Sequence, residues 1–239
     1  MDKKFISYLL RKVGKALGDY NMLSEGDKVL IGVSGGKDSL TLLDTMVLKK
    51  RFLPFSYDIF VVNVDFGFYK DESYFERLEE FFKKLSVNYY FIKGELSNSK
   101  KEINCFWCSW NRRKEIFLLA KKLNCNKVAL GHTLDDVVIT FLMNLFYHGE
   151  ISTMPPILKM FSGEITLIRP LVYVTSQETK KYAEYKNLPV IDFECPYYNK
   201  KFRQREYLKN LLEELEKFWP NIKKNIFNSL KKVKQEYLV

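Results

Sequence analysis

The chain has 239 residues, 46% of them hydrophobic, and a formal net charge of +10. That length and apolar content support a sizeable core and exclude a disordered polyelectrolyte. No apolar run approaches the roughly 18 residues of a membrane span, and Met1-Asp2-Lys3-Lys4-Phe5 does not read as a signal peptide, so a cytoplasmic protein without membrane contact is expected.

Residues 3 to about 20 form a predicted amphipathic helix, with Phe5, Tyr8, Leu9, Val13 and Leu17 at helical spacing. Ser24-Glu25-Gly26-Asp27 turns into a strand over 28–33, followed by Ser34-Gly35-Gly36-Lys37-Asp38-Ser39 and a helix from 38 to about 51. Strands are expected over 57–64 and 88–93, with a helix over 71–85 between them. A polar connection then leads to Cys105-Phe106-Trp107-Cys108 and a helix over 109–124. A fourth strand, 126–130, runs into Gly131-His132-Thr133-Leu134-Asp135-Asp136 and a helix to about 147. Beyond Pro155-Pro156 the pattern gives a hairpin of 157–161 with 165–168, a helix over 176–187, a short strand over 189–191 and a helical tail broken at Pro220. The alternation argues for an α/β fold, a doubly wound, mostly parallel sheet forming one domain over 1–239. A basic helix (1–22) and a basic helical tail (200–239) are its additions.

Charge is concentrated at the two ends: residues 1–15 carry a net +4, residues 200–239 a net +6, and the remainder sums to zero. Two basic helical ends favour a surface for a polyanion over an ordinary solvated face.

Strand, glycine turn and helix start at 34–39 form a phosphate grip, because Gly35 and Gly36 let backbone N–H groups converge at the positive end of a helix and Lys37 adds a full charge. It is not a GxxxxGK[ST] loop, since Asp38 follows Lys37. In an open parallel sheet, ligands sit outside the carboxyl ends of the strands. Asn63 and Asp65 at the second strand end therefore face a nucleotide or close Asx turns. Asp135 and Asp136 suit Mg²⁺ beside a triphosphate; the other reading is helix capping and dipole compensation, which suits Asp135. His132 is placed to position a phosphate or carry a proton.

Four cysteines do not make a disulfide framework, and Cys105 and Cys108 at CxxC spacing suit a metal, a cluster or a redox dithiol. Cys125 reads as a buried structural thiol. Together with Cys195 the pair would hold three irons of a [4Fe–4S] cluster and leave the fourth open; from residues alone, that reading and the dithiol stay level.

The six residues 34–39 resemble the PP-loop of the ATP pyrophosphatases. With Cys105-x-x-Cys108 followed by Arg112-Arg113, Gly131-His132-Thr133-Leu134-Asp135-Asp136, the stretches 141–149, 154–156 and 168–171, and Trp219-Pro220-Asn221-Ile222, nearly the whole chain is similar to the TtcA-type tRNA-cytidine 2-thiolating enzymes. The resemblance implies ATP, Mg²⁺ and a [4Fe–4S] cluster on Cys105, Cys108 and Cys195, with Lys37 and Asp38 at the reacting phosphates. It also implies tRNA as substrate, a cysteine desulfurase or other sulfide donor as partner, and leaves room for a homodimer. Arg112, Arg113, Lys200, Lys201, Arg203 and Arg205 are the expected RNA contacts, and Trp107, Trp110 or Tyr197 would stack on an extracted base. Two departures stand out: a lone Cys195 where the family has a second CxxC, and one histidine at 131–133 where it has two. Adenylation of a uridine, an amine nucleophile in place of sulfur, and a non-catalytic RNA-binding iron–sulfur sensor are the competing readings.

Overall fold

Strands β1 (Lys28–Gly32), β2 (Asp58–Asp65), β3 (Asn88–Lys93), β4 (Lys127–Ala129), β5 (Ile157–Met160) and β6 (Ile165–Ile168) form one sheet in the order β3-β2-β1-β4-β6-β5. The computed structural model describes residues 2–69, 73–94, 105–191 and 200–237, and the side chains of these apart from residues 2, 105, 106 and 200–203. Cys195 and Tyr197 lie outside the described residues. All pairings are parallel except the expected hairpin, in which Ile157 of β5 opposes Ile168 of β6. Strand order reverses between β1 and β4, the place where an open α/β sheet forms a crevice at its carboxyl edge.

The helices are α1 (Asp2–Asp19), α2 (Lys37–Lys50), α3 (Tyr74–Lys84), α4 (Cys105–Lys122), α5 (Leu134–Met143), α6 (Ser176–Tyr185), α7 (Lys200–Phe218) and α8 (Ile222–Ser229). Successive strand residues point to opposite faces. Val29 and Ile31 of β1 therefore enter a large core built with seven of these helices, whereas Leu30 joins Val62, Val64 and Leu167 in a second core against Ile116 and Ala120 of α4. Among the described residues, α4 is the one helix on that second face. Its beginning at Cys105 absorbs the CxxC pair into the first helical turn.

The basic N-terminal helix is seated on the body: Leu9, Val13 and Ala16 are fully buried and Lys12 pairs with Glu178 of α6 at 2.6 Å. Two elements differ from expectation. The helix after residue 133 leaves α geometry at Asn144 and finishes in a π-helical turn to His148. Residues 189–191 form no strand: Pro189 has no N–H to offer a ladder, Val190 N–H turns back to the Leu188 carbonyl, and Ile191 N–H bonds the Gly35 carbonyl at 3.0 Å. That segment clamps the glycine turn instead.

The C-terminal helices are fastened to α5 by a buried ion-pair network. Lys223 of α8, 5% exposed, reaches Asp135 of α5 and Glu216 of α7, each at 2.7 Å. Replacing Lys223 by Met strands two carboxylates, and chemical unfolding should show a loss on the order of 3 kcal/mol, as for other broken buried pairs.

Candidate active site

Helix α2 starts where the chain must turn sharply from β1. Gly35 has φ +79°, and a Cβ there would stand 3.2 Å from the Ile191 side chain, so glycine satisfies both the backbone and the close approach. Ser39 fixes the loop from inside, its hydroxyl accepting from Ser34 N–H and donating to the Gly36 carbonyl. Gly36 is the N-cap and no side chain caps the helix. Its first N–H groups therefore present an anion site reinforced by the helix dipole.

The second loop meets the first directly. A Cβ on Gly131 would lie 3.0 Å from backbone atoms of Asp38 and Ser39. Between the two loops and α4 opens a cavity of about 280 Å³, lined by Ser34, Gly36, Asp38 and Ser39, by Gly131 and His132, and by Ser109, Arg112 and Arg113. The glycine turn and the helix that carries the CxxC pair thus share one cavity. Cys105, Cys108, Ser109, Arg112 and Ile116 follow a single stripe of α4 at helical spacing, and Cys108 is partly exposed.

Lys37 does not line this cavity. Its ammonium bonds Asp38 at 2.7 Å, the Ser176 hydroxyl at 2.7 Å and the Thr179 hydroxyl at 3.1 Å, directing the charge to the start of α6. Thr179 also donates to Asp38. Asp38 borders both the shared cavity and a smaller one toward Ser176 and Arg205, so it stands at the junction between them.

The strand-end residues serve the architecture. Asn63 is fully buried on the opposite side of β2 from the cavity-lining Val62 and Val64, donating to the Val33 carbonyl and the Tyr69 hydroxyl. Tyr69 in turn donates to the Ser34 carbonyl at 3.0 Å. Asp65 accepts from Gly67 N–H, an Asx turn, and from Tyr74 at 2.7 Å. Both hold the rim rather than face the cavity.

The acidic pair is likewise engaged on every carboxylate oxygen. Asp135 accepts from Lys223 and from Ser176 N–H at 2.7 Å. Asp136, not Asp135, makes the capping box, accepting from the Thr133 N–H and hydroxyl, and its other oxygen pairs with Arg205. This donor set does not fit a magnesium ion, whose oxygen ligands must be free to turn to it. Among the described residues no three His, Cys, Asp or Glu side chains converge as a metal cage.

Arg205, expected on RNA, is thereby committed to α5. Lys200, Lys201 and Arg203 sit on the first turn of α7, with side chains outside the described set. Arg112 turns inward over the Phe66 ring, and its buried Nε has no partner among the described residues, whereas Arg113 is exposed and bonds Ser109. Trp107 and Trp110 stack at 5.3 Å, leaving Trp110 47% exposed. Burial holds the Cys125 thiol up at about 11, in keeping with a structural role.

One partner escaped the motif reading. Arg169, 5% exposed at the end of β6, donates from Nε to His132 Nδ1 at 3.2 Å and from its guanidinium to the Pro155 carbonyl. Arginine Nε only donates, so Nδ1 is the acceptor and Nε2 carries the imidazole proton. Burial first, then the Arg169 charge, pushes His132 down to about 4. His132 thus stands on the cavity wall as a neutral ring whose Nε2–H is a hydrogen-bond donor. The signal was present in Ile168-Arg169-Pro170, but nothing local pointed it at residue 132.

A PP-loop domain model matches residues 7–214. The tRNA-cytidine(32) 2-sulfurtransferase of Janthinobacterium sp. (strain Marseille) is 36% identical over 246 positions, which cover 100% of this chain and 76% of that one. The chain belongs to the PP-loop tRNA-cytidine(32) 2-sulfurtransferase family. A member from Geotalea uraniireducens (strain Rf4) is 34% identical, covering 100% of this chain and 96% of its own. In fold, the chain resembles the U34-tRNA thiolase NcsA from Methanococcus maripaludis, solved with its [4Fe–4S] cluster, at a TM-score of 0.79 and 24% identity over 98% of this chain and 80% of that one. The matched PP-loop domain takes in the glycine turn at 34–39 and every residue that lines the shared cavity.

Two outcomes test this geometry. Gly131→Ala sets a methyl against the α2 backbone and should weaken ATP binding about tenfold by calorimetry, the equivalent of roughly 1.4 kcal/mol of strain. Because unfolded His132 takes up a proton near 6.5 and the folded ring only near 4, stability should fall as pH drops through that window, with unfolding accompanied by proton uptake. Equal stability at both ends in wild type, or an unchanged profile in His132→Gln, would contradict the assignment.

Proposed function

We propose that the chain replaces the C2 oxygen of cytidine 32 in the tRNA anticodon loop with sulfur, consuming ATP and forming AMP and pyrophosphate. The supporting observation is the single cavity onto which both the PP-loop and the stripe carrying Cys105 and Cys108 open. In the first step the C2 oxygen attacks the α-phosphorus of ATP, and the bond from that phosphorus to the oxygen bridging toward the β-phosphorus breaks. The uncapped start of α2 receives the departing negative charge, with Lys37 close behind it. In the second step sulfide forms the C2–S bond while the C2–O bond breaks and AMP leaves.

His132 donates Nε2–H to an oxygen that gains charge, without titrating. Arg112, turned inward over Phe66, supplies a fixed positive charge between the two halves of the cavity. The donor set on α4 fits an iron–sulfur cluster: two cysteines one turn apart, Cys108 partly exposed, with Cys195 as the third ligand. Such a cluster, when bound, supplies an iron open to sulfide. Magnesium comes in on the phosphates of ATP, with Asp38 the nearby carboxylate, rather than on Asp135 and Asp136. A cysteine desulfurase or another sulfide donor feeds the site, and the reaction takes place in the cytoplasm.

The two halves are separable. Lys37→Ala should lower AMP and pyrophosphate formation at least a hundredfold, about 2.7 kcal/mol of transition-state stabilisation, while retaining cluster absorbance after anaerobic reconstitution. Cys108→Ser should lose that absorbance and all 2-thiocytidine, measured by nucleoside mass analysis, yet still bind ATP. Thiouridine in place of 2-thiocytidine in the wild-type product would overturn the choice of base.

A further inference from the structure

Six strands about 4.8 Å apart span roughly 24 Å, whereas one helix with its side chains covers about 10 Å. A single helix on the second face cannot close it, and among the described residues a groove of about 710 Å³ remains between α4 and the β5–β6 hairpin. Its α4 wall is Trp110, Arg113, Lys114, Phe117, Leu118 and Lys121, one continuous stripe at helical spacing. Phe161 closes the far side, 53% exposed and edge-on to Phe117 at 5.3 Å. It holds a left-handed backbone, φ +51°, unusual for a bulky side chain.

The composition of this wall selects among partners. Protein interfaces are depleted in lysine, and this wall carries three cations against one acid, Glu164, itself 3.6 Å from Lys121. Aromatic faces interleaved with cations match a single nucleic-acid strand, whose bases stack while its phosphates meet the charges. Arg113 borders both this groove and the cavity of the PP-loop, so the two adjoin at that side chain.

We infer that the groove is the seat of the RNA strand flanking the target nucleotide. Its bases stack on Trp110 and Phe161, and its backbone runs past Arg113, Lys114 and Lys121 while the target base turns into the adjoining cavity. This rests on the tRNA reading and adds the path by which the anticodon loop reaches the site.

The test is equilibrium binding of an in vitro transcribed tRNA carrying cytidine 32, followed by fluorescence anisotropy over a range of salt. Trp110→Ala and Phe161→Ala should each weaken binding about tenfold, with Trp110→Phe restoring most of the loss. Lys114→Glu with Lys121→Glu should weaken binding and flatten the slope of log K against log salt by about 1.4, as for two single-strand phosphate contacts. Lys180→Glu with Lys181→Glu, both exposed on α6 across the sheet, is the charge-matched control and should leave the slope unchanged. Tight wild-type binding that none of the groove variants alters would overturn the groove and leave the tRNA reading standing. A wild type that binds no tRNA would overturn both. A fall in molar mass by light scattering in Trp110→Ala or Phe161→Ala, with tRNA affinity intact, would assign the groove to a second copy of the chain and refute the inference.

Discussion

The close approach of Gly131 to the start of α2 is the contact on which the site depends. Two loops leave adjacent strands at the parting of β1 and β4, and they meet backbone to backbone because residue 131 carries no side chain into the gap. That contact draws His132 to the edge of the phosphate grip. Gly35, held from above by Ile191, fixes the same loop from the other side. The cavity is therefore defined by main-chain geometry, with side chains tuning a space that the backbone has already shaped.

Charge is distributed unevenly around that space. The acidic residues in and around the crevice are bound into the frame: Asp38 to Lys37 and Thr179, Asp135 to α8, Asp136 to its own helix start and to α7, Asp65 to a turn and a tyrosine. The cationic groups Arg112 and Arg113 line the cavity instead, Arg112 turned inward and Arg113 exposed. An opening whose carboxylates are neutralised by the scaffold, and whose cations are not, attracts polyanions from solution. The basic ends thus play a second part through α8, whose Lys223 is buried and neutralises the acid that would otherwise repel phosphate.

Local patterns made much of this legible. The alternation of apolar runs and helical stripes pointed to a mostly parallel sheet, and the glycine turn marked one wall of the cavity that forms at its edge. What escaped was pairing between distant residues. Asp135 and Asp136 look alike in sequence, and their division into anchor and cap follows from Lys223 and Arg205, which no local rule connects to them. Asn63 and Asp65 were ambiguous for the same reason: Tyr69 and Tyr74 decide where their side chains go. Pro189-Val190-Ile191 has strand composition, but its backbone partner is a loop carbonyl rather than a neighbouring strand.

Helix α4 carries the cysteine positions and Ile116 on one stripe and the groove residues on another, with Ile116 and Ala120 as its anchor in the second core. Each residue of an α-helix advances about 1.5 Å and turns about 100°, so a one-residue insertion between Cys108 and Ile116 would turn positions 105 and 108 by about 100° against the anchored half. Loops elsewhere in the chain tolerate changes of length. This helix acts as a ruler: its intervals, more than the identities along it, set where the cysteine positions stand relative to the sheet.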